Sequence, residues 1–227
     1  MAFIKPTVII AALVLSGTAN ATLLSFVNGG FEGYTGDTNS WNSEVPPGWS
    51  TTGGTPDTFD GNTNFQGFTW ESSSTGGDFL HGIGDQPDWT ESAVQDGLSG
   101  LVIGQEYEIS FEQSISRSQW SQTGGFWRIM FGDEVHDSAL MDIPDSRVFE
   151  GWTWQTMIFT ATAETQNLQV MAMSDTNSSR TDIGIDSFYL GNPGENPDNP
   201  DNDIPEPSSI ALLGLALIGM VARRKRR

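Results

Sequence analysis

The chain has 227 residues, a formal net charge of −19, eight tryptophans and no cysteine. A charge of that sign repels nucleic-acid phosphates and anionic membrane surfaces, which excludes a binding role at either. Without cysteine there are no disulfides, so stability has to come from a packed core, with or without a metal ion.

The N-terminus reads as an address. Lys5 supplies a positive charge, Val8–Leu15 is an unbroken apolar run, and Ala19-Asn20-Ala21 is a small-x-small cleavage site. Together they predict a secretory signal peptide over residues 1–21, engagement of the Sec translocation machinery and a mature chain from Thr22. An uncleaved first membrane helix fits less well, because the run is only eight residues long.

Residues 22–190 are long enough for one domain; a chain of this size buries about 70% of its unfolded surface. Glu106–Glu112 alternates strictly, with Tyr107, Ile109 and Phe111 on one face and Glu106, Glu108, Ser110 and Glu112 on the other. That is the pattern of a half-buried antiparallel strand. Further strands are predicted at Leu24–Val27, Phe65–Trp70, Phe79–Ile83, Ser92–Leu98, Phe126–Phe131, Thr153–Ala161, Leu168–Met173 and Ile183–Leu190. Gly, Pro, Asn, Asp and Ser fill the gaps, and no stretch carries a sustained 3.6-residue apolar stripe. The fold class is all-β, a two-sheet sandwich. Residues 191–203 hold no residue able to pack and three prolines, which predicts an extended, solvated acidic linker.

The C-terminus is a second address. Pro205-Glu206-Pro207 precedes the thirteen-residue run Ile210–Ala222 and the cations Arg223, Arg224, Lys225, Arg226 and Arg227. As a helix the run spans about 20 Å, short of the roughly 30 Å hydrocarbon core. The terminal cations set the C-terminus on the cytoplasmic side, with everything before Pro205 outside. All 29 acids lie between Glu32 and Glu206, with only Arg117, Arg128, Arg147 and Arg180 to offset them, so this stretch carries −25. The triplet, short helix and basic end resemble the PEP-CTERM sorting signal of Gram-negative bacteria. That resemblance implies processing by an exosortase, a transient inner-membrane anchor, and a final place at the cell surface or in the extracellular, exopolysaccharide-rich biofilm matrix. An ordinary tail anchor would leave the triplet unexplained.

A looser resemblance spans the domain. Asn28-Gly29-Gly30-Phe31-Glu32, Pro47-Gly48-Trp49, Gly100–Phe111, Trp154–Ala161 and Gly184–Leu190 are similar to segments of the galactose-binding-like jelly roll, a superfamily that includes many carbohydrate-binding modules. It implies a structural calcium ion between the acid of the first segment and the aspartate of the last strand, here Glu32 and Asp186, beside turn carbonyls at Gly29-Gly30. Calcium takes six to eight oxygens, so these two acids alone do not compel a site.

Flat aromatic rings stack on sugar C–H faces while acids and amides meet the hydroxyls. Trp70, Trp89 and Trp120 stand in polar, loop-like settings and are the candidates for a sugar platform. Trp127, in phase with Ile129 and Phe131, and Trp154, in phase with Thr156 and Ile158, are expected in the core. His81 and His136 are far apart, with no nucleophile elbow or zinc-protease helix around either one, and with no cysteine a zinc site is not expected. The reading is a non-catalytic exported protein that binds extracellular polysaccharide or builds matrix. A secreted carbohydrate-active enzyme, whose carboxylate pair cannot be located in sequence, and a purely structural calcium-stabilised surface protein are the alternatives.

Overall fold

A computed structural model describes residues 24–85, 89–145, 149–176 and 179–200. The signal peptide with Ala19 and Ala21, the triplet Pro205-Glu206-Pro207, the run Ile210–Ala222 and the cations Arg223–Arg227 lie outside the described residues. Thirteen strands and no helix occur among the described residues: β1 Ser50–Gly53, β2 Asp57–Asp60, β3 Asn64–Phe65, β4 Phe68–Thr69, β5 Asp78–Asp85, β6 Trp89–Thr90, β7 Ser92–Ser99, β8 Glu106–Ile115, β9 Gly125–Phe131, β10 Glu134–Asp137, β11 Thr153–Thr160, β12 Thr165–Ser174 and β13 Arg180–Gly191.

They build an all-β sandwich. One sheet runs β1-β7-β12-β9-β10 and the other β11-β8-β13-β5-β2, with β6 paired to β5 and β3-β4 a separate hairpin. Successive long strands alternate between the two sheets, since β5, β8, β11 and β13 lie in the second and β7, β9 and β12 in the first. Alternation along each strand then points one set of side chains inward. Ile109 and Phe111 of β8, Leu80 of β5, Ile183 and Ile185 of β13, and Phe159 of β11 meet Trp127, Ile129 and Phe131 of β9 and Leu168, Val170 and Ala172 of β12.

Most predicted strands are present, but the segment Phe65–Trp70 is not a single strand: it turns back on itself as the β3-β4 hairpin, with Phe65 opposite Phe68. Residues 24–27 form no strand; the backbone of Val27 is instead held by the Gln95 side chain, which accepts from Val27 N at 2.7 Å and donates to Val27 O at 2.6 Å. Trp127 is buried as expected, but Trp154 is only partly buried, because the inward face of β11 is the one bearing Met157 and Phe159.

The outer face of the six-stranded sheet, read from sequence as solvated, is covered. Phe59, Trp70 and Phe79 form a second apolar cluster there with Trp41, Phe65, Phe149 and Trp152. Residues 194–199 cover another part of it, which corrects the expectation of a solvated linker. Gly194 N donates to Glu108 Oε2 at 2.6 Å, Asn196 to Ser110 Oγ at 2.8 Å and Asn199 to Thr156 Oγ1 at 3.1 Å. Asn196 and Asn199 are buried, and so are Glu108, Ser110 and Glu112 of the polar face of β8.

Candidate functional site

Register places the site. On the outer face, His81 of β5 stands opposite Asp57 of β2, and Asp85 opposite both Arg180 of β13 and Trp89 of β6. Asp182, two residues after Arg180, shares that face. Trp41, from the loop before β1, and Trp120, from the β8–β9 loop, lie over the same corner. Two adjoining clefts result, of about 440 and 310 Å³. Trp41, Asp85 and Arg180 line both; Trp120 and Gln122 complete the first, and Trp89, Thr55, Asp57 and Glu91 are among the lining of the second.

The rings are held by charge. The Arg180 guanidinium carbon lies 5.5 Å from the centroids of both Trp41 and Trp120, a cation–π arrangement. The rings themselves are 6.4 Å apart. Arg180 also grips Asp182, with Nη2 at 2.6 Å and Nε at 3.2 Å from Oδ1. Ser118 Oγ donates to Asp182 Oδ2 at 2.8 Å, and Ser121 Oγ donates to the same oxygen. The turn that carries Trp120 is therefore pinned to the carboxylate that orients Arg180. Trp89 is fixed by its indole N–H, which donates to Glu91 Oε1 at 3.2 Å.

Beneath the clefts His81 is fully buried between two carboxylates, Nδ1 at 3.5 Å from Asp57 and Nε2 at 3.5 Å from Asp182. Burial opposes its charge, but the two carboxylates, each 3.5 Å away, outweigh this and raise its pKa to about 9. Burial likewise opposes the charge of Asp182, and His81 and Arg180 more than compensate, lowering it to about 2. Glu91 goes the other way: burial pushes it up to about 7 against the pull of His81 and the donors Ile83 N and Trp89. Asp57, His81 and Glu91 could offer three ligand atoms within 4.8 Å of one another. Their oxygens are already engaged, Asp57 Oδ1 by the amides of Asn42 and Ser43, and Glu91 by Ile83 N, Trp89 and Thr55. Around them, Asp57 and Asp182 stand against His81 and Arg180, two aspartates against two cations, beside Glu91.

The sequence-predicted residues separate. Trp89 and Trp120 are 44% and 41% exposed and rim the clefts. Trp70 is a correction: at 1% exposure it packs in the second cluster, 5.0 Å from Phe79 and 6.2 Å from Trp152, and offers no face to a ligand. Trp41, Arg180 and the buried charges were not singled out, because their partners come from distant segments of the chain. A third cleft, of about 590 Å³ near Gln113 and Met141, is lined by no aromatic ring among the described residues.

Glu32 and Asp186 come together at the other end of the same sheet. A Cβ on Gly30 would lie 3.9 Å from both Asp186 Oδ1 and Glu32 Cγ. Asn28, at φ 64°, shapes the turn: it donates to Glu32 O and accepts from Glu32 N, both at 2.7 Å. Glu32 Oε1 accepts from Asp78 N at 3.0 Å, and Glu112 Oε2 accepts from Ser74 N and from the hydroxyls of Ser74 and Ser187. Asp186 is buried with Oδ2 bonded to Ser73 and Oδ1 unpartnered. Burial, then Glu112 and Glu32, hold its pKa well above the usual carboxylate range, and burial with Glu32 and Asp60 raises Asp78 to about 6. An all-oxygen set with one buried unsatisfied carboxylate oxygen fits a hard cation such as calcium.

No curated protein matches the sequence. Among solved structures the chain is similar to the sugar-binding EclA C-terminal domain, at 18% identity and TM-score 0.32 over 41% of this chain and 62% of that one. It is also similar to the CBM22-1–GH10 modules of Clostridium thermocellum endo-1,4-β-D-xylanase 10B, complexed with xylohexaose, at 16% identity and TM-score 0.41 over 64% of this chain and 26% of that one. For TmCBM61 in complex with β-1,4-galactotriose the values are 12%, 0.39, 75% and 98%. At the C-terminus the assignment is direct: residues 203–227 are a PEP-CTERM protein-sorting motif.

Proposed function

We propose that this protein is a non-catalytic glycan-binding module, a galactose-binding-like jelly roll exported behind a signal peptide, processed by an exosortase at its C-terminal motif and displayed at the cell surface or in the extracellular matrix. The observation that carries the binding role is the pair of adjoining clefts. Trp89 and Trp120 offer exposed rings at their rim, and Asp85 and Gln122 supply an acceptor and an amide beside them. Flat rings next to fixed polar groups match the amphipathic character of a sugar. Binding is favoured over turnover because, of the acids at the clefts, Asp57 and Asp182 are committed to His81 and Arg180 and Glu91 to backbone and indole donors, which leaves Asp85 as the open carboxylate. A glycosidase needs two carboxylates on either side of the scissile bond. Glu32 and Asp186 are proposed to hold a structural calcium ion that ties the first loop to β13.

Sedimentation of the mature protein with insoluble polysaccharides tests this reading. Wild type is expected in the pellet, Trp120→Ala and Trp89→Ala in the supernatant, with no reducing sugar released. Release of reducing ends would replace the module with an enzyme.

A further inference from the structure

We propose that the clefts select uncharged polysaccharide and turn away polyuronates; the inference rests on the glycan-binding reading and names the ligand class of that same site. Among the described residues the two cations at the site, His81 and Arg180, are already engaged. His81 lies between Asp57 and Asp182, and Arg180 puts Nε and Nη2 on Asp182 while its guanidinium covers Trp41 and Trp120. Asp85 stands opposite Arg180 in register and lines both clefts. Three aspartates against two cations leave the floor and wall with an excess negative charge before Glu91 is counted. A sugar carboxylate entering here would meet Asp85 and, among the described residues, no uncommitted cation, and an exported stretch of −25 repels a polyanion on approach. A hydroxyl meets the reverse situation. Asp85 accepts, the Gln122 amide does both, and the exposed ring of Trp120 takes a C–H face at no electrostatic cost. Cationic sugars gain less from the rings than the carboxylates suggest, since Arg180 already occupies one face of Trp41 and of Trp120.

Affinity electrophoresis of the mature protein in gels cast with neutral xylan, galactan or β-glucan, or with polygalacturonate or alginate, reads the selection. The inference expects retardation by a neutral polymer that is insensitive to salt, none by either polyuronate at low or physiological salt, and weakening by about tenfold in Trp120→Ala. Asp85→Asn, which replaces a carboxylate of the site by a neutral amide, is expected to raise retention by polyuronate relative to retention by the neutral polymer, even as the loss of an acceptor weakens neutral binding. Stronger retention by polyuronate than by every neutral polymer at low salt would overturn the charge selection and leave the glycan-binding reading standing. Retention by none of the polymers would overturn the glycan-binding reading itself, and retention unchanged in Trp120→Ala would remove binding from these clefts.

Discussion

His81 is the residue on which the corner of the sheet depends. A buried imidazolium between Asp57 and Asp182 offsets both charges; without it two facing carboxylates would stand in a low-dielectric setting. Its pKa is raised from 6.5 to about 9, so the folded protein holds a proton that the unfolded chain releases. The resulting stabilisation, on the order of 3 kcal/mol, is fully present below pH 6.5 and is lost as pH rises through 9. Asp182, lowered to about 2, contributes above its unfolded value near 4 and loses that contribution as pH falls through 2. Urea unfolding at pH 6.5, 8 and 10 should show wild type weakening across the series, and His81→Gln should be weaker by about 3–5 kcal/mol at pH 6.5 with a flat alkaline limb. Little of this was legible in the sequence. Asp57 and Asp182 lie far from His81 along the chain, and polar residues alternating with apolar ones read as solvent-facing whether or not a second layer covers them. The same layer explains Trp70: its polar neighbours Thr69 and Glu71 suggested a surface ring, but the hairpin folds it onto Phe79. The exposure of Trp89 and Trp120 was legible, because the two-residue β6 and the β8–β9 loop both stay at the rim.

At the scale of elements, the long strands follow from period-two alternation, and β7, β8, β9, β12 and β13 stand within a few residues of their predicted bounds. The strands that sequence did not suggest are β1, β2 and β10, of four residues each, and β6, of two, too short for alternation to rise above loop composition. Tertiary contact, not local pattern, also decides the course of residues 194–199. Asn196 and Asn199 supply side-chain amides that satisfy hydroxyls on β8 and β11, so a segment without apolar residues still docks. Asn196→Ala strands a buried Ser110 hydroxyl and should cost about 1–3 kcal/mol, read as a lower thermal midpoint and faster amide exchange from residue 194 onward; unchanged exchange would mean that the segment is not clipped. Close approach of the two sheets is set by glycine. A Cβ on Gly84 of β5 would lie 2.6 Å from Ser174 N and 2.7 Å from Met173 C of β12, both backbone atoms that cannot step aside. Gly84→Ala should lose about 1–3 kcal/mol in urea unfolding; a neutral result would show that the sheets can separate there.

Across the whole molecule, charge sets a problem that one end of the sheet concentrates. Twenty-nine acids against four arginines between Glu32 and Glu206 make the exported stretch self-repelling, and added salt should stabilise it modestly by screening. The cluster of Glu32, Asp78, Glu112 and Asp186 differs in kind from this diffuse field. Asp186 is buried with one oxygen unsatisfied, and its raised pKa marks a carboxylate that costs free energy to ionise where it stands. A divalent ion coordinated by that oxygen and by Glu32 would remove the cost, whereas sodium chloride only screens it. Calcium should therefore raise the thermal midpoint with a saturable dependence, beyond magnesium or sodium chloride at equal ionic strength. Binding at a hundred times Kd is worth about 2.7 kcal/mol, several degrees for a domain of this size. Asp186→Asn removes the buried charge while keeping the shape. It should melt above wild type in chelator and show no calcium response, so the two curves cross as calcium is added. Parallel curves, with both proteins responding equally, would place the ion elsewhere on the acidic surface and leave Asp186 as a buried carboxyl group whose pKa burial, Glu112 and Glu32 hold up without any ion.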